Sequence, residues 1–249
     1  MGRVEGRTVK LLIGFEGTHY EGWQSQKTSK TLQELFEKNL SRILKEKTNV
    51  ISSSRTDSGV HAEGLVAHFS TQNTLPDKKI KDALNFYLPK DVVVFSAKTV
   101  SNDFHARYSA KSKVYVYEIW NAPTRPLFEA PFVLWFPHRL NLLRMKKAAR
   151  HFIGRHDFSA FRDRGEKEKS AVREVRRLRI RKNKSMVQIE IEADGFLRHM
   201  VRIIVGTLIE AGRKKISPEA IPQMIRSKNR TQTGPTAKPH GLTLLKVKY

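Results

Sequence analysis

Cysteine is absent from the 249-residue chain, which excludes disulfides, thiolate nucleophiles and cysteine-ligated zinc. That absence fits a reducing compartment, and a cytoplasmic location is expected. No apolar run approaches the roughly 18 residues that a membrane helix requires, so no membrane partner is expected. The first twenty residues hold Leu11, Leu12 and Ile13 but no longer apolar core, and no secretory signal is expected. Low-complexity tracts, strict repeats and a glycine-rich phosphate loop are also missing. Acidic residues are scarce, with 24 Asp plus Glu against 47 Lys plus Arg, a net charge of +23. The cations run along the whole chain, so the expected partner is a polyanion; a solvated charged surface is the blander alternative. Charge alone separates neither enzyme from binder nor RNA from DNA.

Apolar residues make up 39% of the chain and recur in periodic blocks, which excludes a disordered chain. Val9–Phe15 predicts a strand that runs into a loop over Glu16–Lys30. Thr31-Leu32-Gln33-Glu34 has the form of a capping box, followed by a helical stripe of Leu32, Leu35, Phe36, Leu40, Ile43 and Leu44. Further strands are predicted at Leu65–Ser70, Val92–Lys98, Lys113–Asn121 and Leu242–Tyr249, and a hairpin at Val172–Ile180 with Met186–Ala193. Helices are predicted at Asp77–Leu88 with Asp77 as cap, at Asn141–Ile153 ended by Gly154, and at Phe196–Ala211 ended by Gly212. Ser217 and Pro218 open a shorter helix, in which Pro222 falls early. The balance predicts an α+β fold with mostly antiparallel sheet.

The polar loop Ser52–Ala62 lies between a predicted helix and a predicted strand. Its small residues and Gly59 permit close approach of a ligand, and Arg55 stands two residues from the carboxylate of Asp57. Taken alone, such an aspartate equally well shapes a turn. Arg202 lies among Val201, Ile203 and Ile204, where a charge needs a partner or snorkels outward. Tyr115 shares a strand face with Tyr117 and Ile119, a position that suits core packing as well as base stacking. His19, His61, His68 and His105 match no common zinc spacing, so no metal is expected. Arg173, Arg176, Arg177, Arg179, Arg181, Lys182 and Lys184 crowd the hairpin, and Arg162, Arg164, Lys167 and Lys169 precede it. They read either as a solvated face or as a track for phosphates.

The wording of these segments resembles one family. Arg55-Thr56-Asp57-Ser58-Gly59-Val60-His61-Ala62 is similar to the Arg-Thr-Asp-Ala-Gly-Val-His-Ala signature of the tRNA pseudouridine synthase A family, with Ser58 for alanine. Gly17-Thr18-His19-Tyr20-Glu21-Gly22-Trp23-Gln24-Ser25-Gln26 resembles the family's amino-terminal Gly-x-x-Tyr-x-Gly-Trp-Gln-x-Gln. Phe104-His105-Ala106-Arg107, Tyr115-Val116-Tyr117, His156–Phe161 and Phe196–Arg202 follow in the family's order.

The resemblance implies two α+β halves, residues 1–108 and 109–249. Their sheets would join into one, with helices on one side and the active cleft between the halves. It implies isomerisation of uridine to pseudouridine in the anticodon stem-loop of tRNA, at positions 38 to 40, by a homodimer that uses no cofactor. Asp57 would be the nucleophile, Arg202 its partner, Tyr115 the stacking platform, and Arg55 the residue that keeps the target nucleotide out of the stack. His105 and Arg107 would touch RNA, and Arg162, Arg164, Arg177 and Arg179 its backbone. A related synthase acting at another tRNA position, or a non-catalytic RNA-binding protein, are the alternatives.

Overall fold

Alternating apolar residues through Arg7–Phe15 make it a strand, β1, with Val9, Leu11 and Ile13 fully buried on one face. In chain order there follow α1 (Leu32–Leu44), β2 (Ile51–Ser52), β3 (His61–Thr71), α2 (Asp77–Tyr87) and β4 (Val92–Val100). Next come β5 (Ser112–Trp120), β6 (Leu134–Trp135), α3 (Leu142–Arg150), β7 (Gly154–Asp157), β8 (Val172–Asn183) and β9 (Met186–Ala193). The chain ends with α4 (Met200–Gly212), α5 (Ile221–Ser227) and β10 (Leu242–Lys248). The structure is a computed structural model that describes residues 6–26, 30–163 and 170–249. It is α+β, and its pairings are antiparallel except for the short β5/β6 contact among those whose register is described.

The chain divides into two compact units. One comprises the described residues up to Lys111 together with Leu244–Tyr249; the other is Ser112–Thr243. In the first unit, β1 lies between β4 and β3, β2 adds to β3, and β10 also neighbours β3. Helix α2 packs on β4 and α1 on α2. Leu32, Phe36, Leu40 and Leu44 of α1 are buried, as the stripe requires. In the second unit the order is β5-β9-β8-β7. Tyr115, Tyr117 and Ile119 of β5 pair with Ile191, Ile189 and Val187 of β9, so all six lie on one face. Helix α4 is apolar nearly all round and almost entirely buried, and α3 packs against it and against β8.

Local rules of capping fail at several places, for identifiable reasons. Thr31 precedes α1 but its hydroxyl is buried without a partner among the described residues. The first amides of the helix are taken instead by backbone carbonyls, Leu32 N–H by Gly22 at 3.2 Å and Gln33 N–H by Trp23 at 2.9 Å. Glu34, the other half of the expected box, accepts from the Ser25 hydroxyl at 2.8 Å. Asp77 does not cap α2: its carboxylate binds Arg7 at 2.7 Å and the Thr99 amide at 2.6 Å, tying the helix start to β1 and β4. Gly154 does not end α3, which stops at Arg150, but opens β7 at a φ of 110°. Helix α4 begins at Met200 rather than Phe196, because His199 adopts a left-handed conformation, and Gly212 lies inside its last turn. Pro222 sits in the first turn of α5, where no amide is needed.

Gly206 lies mid-helix in α4, a position that costs ~1 kcal/mol relative to alanine. Its reason is contact: a Cβ there would stand 1.7 Å from the Pro235 carbonyl oxygen. The Gly206→Ala variant should therefore lose about 2–4 kcal/mol of stability. Urea unfolding of the purified variant measures this, and an unchanged midpoint would contradict the packing described here.

Candidate active site

The segment Gly17–Gln24 and the loop before β3 are folded against each other through their backbones. Trp23 N–H donates to the Thr56 carbonyl at 3.1 Å, and Gly59 N–H donates to the Tyr20 carbonyl at 3.3 Å. The Ser58 hydroxyl reaches the same carbonyl at 3.4 Å. Within the loop, Val60 N–H returns to the Asp57 carbonyl at 3.2 Å, closing a turn, and Gly59 takes a φ of 75°. No side chain fits between the segments. A Cβ on Gly22 (φ 89°) would meet the Thr56 oxygen at 2.5 Å, and one on Gly17 would meet the Val60 oxygen at 2.0 Å.

This segment is itself anchored. Trp23 is buried and stacks on Phe36 of α1 with centroids 5.8 Å apart. Tyr20 is buried and donates to Asp91 at 2.8 Å; burial, then this bond, holds its phenol well above the usual range. His61 follows the loop, and its Nδ1 accepts the Gly17 amide at 3.0 Å, so that nitrogen carries no proton. His61 therefore serves the loop's structure. Asp57 emerges half-buried from this clamp, and Arg55 beside it is exposed.

In the second unit Tyr115 is nearly buried, and the ring of Phe196 meets it edge-on at 5.2 Å. Arg202 projects from the first turn of α4 and is half-buried, so it does not simply snorkel into water. Its Nε donates to the Ala237 carbonyl at 2.7 Å, and Ala237 N–H donates back to the Arg202 carbonyl at 3.1 Å. One turn on, Gly206 admits the same segment, and Gly234 N–H donates to the Thr207 hydroxyl at 3.0 Å. Arg230 organises this segment from outside through Thr233, Gly234 and Thr236. Tyr117 donates to the Lys238 carbonyl at 2.8 Å; burial raises its pKa, and the Arg202 charge opposes the rise. The Gly234–Lys238 segment was not singled out from sequence, and only Gly206 in an apolar helix hinted at it.

Of the other predicted residues, His105 and Arg107 share the turn after β4, His105 half-buried and Arg107 exposed. Arg162 is half-buried, Arg179 exposed, and Arg164 lies outside the described residues, as do Lys167 and Lys169. Arg177 is committed to two carboxylates, Glu190 at 3.0 Å and Glu192 at 3.1 Å. A cavity of about 300 Å³ in the second unit is walled by Arg125, Leu127, Trp135, Lys238 and His240, and no predicted site residue lines it. No group of His, Asp and Glu among the described residues could hold a metal ion, and no described helix is long and apolar enough to cross a membrane.

A family model described as tRNA pseudouridine synthase matches residues 12–109 and 148–249. The chain is also similar to full-length relatives that carry that description. The tRNA pseudouridine synthase A of Thermoanaerobacter sp. (strain X514) is 46% identical over 243 residues, covering 98% of this chain and 100% of the relative. The protein of the same name from Acetivibrio thermocellus is 44% identical at the same coverage. The tRNA pseudouridine synthase A 2 of Clostridium perfringens is 42% identical, again over 98% and 100%.

The clamp makes its own prediction. In a Gly22→Ala variant the loop carrying Asp57 must shift, because both the φ and the Cβ conflict with Thr56. Amide exchange over residues 55–61 should then quicken by at least about tenfold, read by mass spectrometry. Unaltered exchange there would mean that the loop holds its shape without this contact.

Proposed function

The chain belongs to the tRNA pseudouridine synthase family, and on that premise we propose that it isomerises uridine to pseudouridine in the anticodon stem-loop of tRNA, with Asp57 as nucleophile. The target positions are 38 to 40. The observation that carries the reading is the Asp57 loop: an aspartate on a backbone clamped from both sides, with an exposed guanidinium two residues away.

The reaction breaks the C–N bond between uracil N1 and the ribose, and joins the same sugar carbon to C5 of the base. The C5 proton is lost and N1 gains one, so the product is an isomer and nothing is oxidised or reduced. No cofactor is required. An ionised carboxylate attacks an electron-poor carbon of the nucleoside and holds it while the base turns over. Asp57 supplies that carboxylate. Arg202, half-buried on α4, is the guanidinium that the family resemblance pairs with this carboxylate. Tyr115 faces the base, with Phe196 fixing the angle of its ring. The target bond is shielded in a stacked stem, so the nucleotide must leave the stack, and Arg55 holds the opened conformation.

Phosphates of the tRNA lie along Arg162, Arg177 and Arg179, with His105 and Arg107 as further contacts. Arg177, paired with two carboxylates, contributes field more than a direct bond. The enzyme works in the cytoplasm as a homodimer. Exposed apolar side chains at Leu127, Phe128 and Trp135 support a protein contact in the second unit.

Purified protein incubated with unmodified tRNA, without metal or nucleotide, should form pseudouridine within positions 38 to 40. The Asp57→Ala variant should bind the same tRNA within about threefold while turnover falls by about four orders of magnitude or more. Product at other positions alone would overturn the regional assignment. Turnover surviving in Asp57→Ala would overturn the nucleophile.

A further inference from the structure

The turn Phe104–Ser109 of the first unit presents a tyrosine at its surface. Tyr108 is 78% exposed. Its ring nevertheless has a fixed support: the His105 ring lies 4.3 Å away with the planes 30° apart. His105 cannot easily turn, because its Nδ1 accepts the amides of Arg107 and Tyr108, each at 3.2 Å. Its own amide donates to the Ser109 hydroxyl at 3.1 Å, and Ser109 N–H returns to its carbonyl at 2.9 Å. Behind it stands His68, with centroids 4.9 Å apart. His68 accepts the Ala106 amide at 3.2 Å, and burial, then the neighbouring His105, lower its pKa.

The other side of the turn is held by the end of the chain. Tyr249 donates to the Ala106 carbonyl at 2.8 Å and packs on Phe104 at 5.0 Å. Lys10 lies over both rings, 5.4 and 5.7 Å from their centroids. The Arg107 guanidinium stands 6.0 Å from the Tyr108 ring.

A lone exposed aromatic is ordinary. Here three rings adjoin in series, the buried His68 meeting His105 edge-on and His105 lying tilted against Tyr108 at the surface, and a guanidinium flanks the outer end. The Tyr108 ring already rests on the His105 ring, so stacking a base on it costs less conformational entropy than stacking on an unsupported side chain. A planar, apolar, electron-rich surface beside a cation, on a chain of net charge +23, fits an unpaired nucleobase with its phosphate.

We infer that Tyr108, supported by His105, is a stacking platform for an unpaired nucleobase of the RNA substrate, with Arg107 at the adjoining phosphate. The inference rests on tRNA being the substrate, but it does not need Asp57 to be the nucleophile. Tyr108 touches no reacting atom in this account. Its role is to hold the RNA in place.

The test uses the full chain, an unmodified tRNA transcript and a fixed salt concentration. Tyr108→Ala and Tyr108→Leu should raise Kd by about five- to a hundredfold, the range expected for one lost base stack, and raise KM in parallel. The kcat at saturating tRNA should stay within about twofold, because only binding shared by ground and transition states is removed. Tyr108→Phe and Tyr108→Trp should bind as the parent does. A leucine variant that binds as tightly as tyrosine would overturn the inference, since apolar area would then suffice. So would an alanine variant whose only defect is lost self-association in sedimentation, which would assign the ring to a protein contact. Asp57→Ala that still turns over would sink the nucleophile and leave these binding constants standing.

Discussion

The contact on which the candidate site depends is backbone against backbone: Gly17–Trp23 lying on residues 56–60 with no side chain between them. A catalytic carboxylate must be held to a fraction of an ångström, and loops ordinarily wander. This loop is held by carbonyls and amides that belong to a neighbouring segment. That segment is in turn pinned by Trp23 on Phe36, by Tyr20 on Asp91, and by the first amides of α1. The start of α1 is thus both end and anchor. Its unsatisfied N–H groups, which a serine or threonine cap would normally quiet, are used to fix Gly22 and Trp23. The order of support runs from the helix to the glycine segment, and from there to the loop and Asp57.

The second unit solves the same problem by a similar device. Arg202 is presented by a helix otherwise made of apolar residues, where an unpartnered charge would be costly. The Gly234–Lys238 segment supplies partners through main-chain oxygens: Ala237 for the guanidinium and Lys238 for the Tyr117 hydroxyl. It comes close enough to do so only because residue 206, one turn beyond Arg202, has no side chain. A carbonyl bond at Nε restrains the arginine side chain without neutralising it.

How much of this could be read from the residues depends on where the determining partner lies. Periodicity is local, and it located β1, α1, β5 and the β8/β9 hairpin, since burial repeats at the spacing of the element itself. Capping readings failed where a distant carbonyl outcompeted the nearby side chain, as at Thr31, or where a distant cation claimed it, as at Asp77. The beginning of α4 was misplaced because Phe196 looks like one more apolar residue on a helical stripe. It stands outside the helix, edge-on to Tyr115. Arg55, Asp57, Tyr115 and Arg202 were legible as candidates through the ordered motifs they sit in. What holds them, chiefly Gly22, Gly206 and Ala237, was not, because a glycine's close contact is invisible until the opposing backbone is in place.

The scarcity of acid in the chain bears on the same economy. Several carboxylates are spent on structure: Asp77 on Arg7 and Thr99, Glu190 and Glu192 on Arg177, Asp91 on Tyr20. Pairing leaves the net charge of +23 unchanged, and Arg55, Arg107 and Arg179 remain exposed to a polyanion. Those exposed cations supply the long-range potential that a polyanion meets first. Raising salt weakens that attraction, because screening acts most strongly on exposed cations, while the half-buried pairs that hold the fold are screened less.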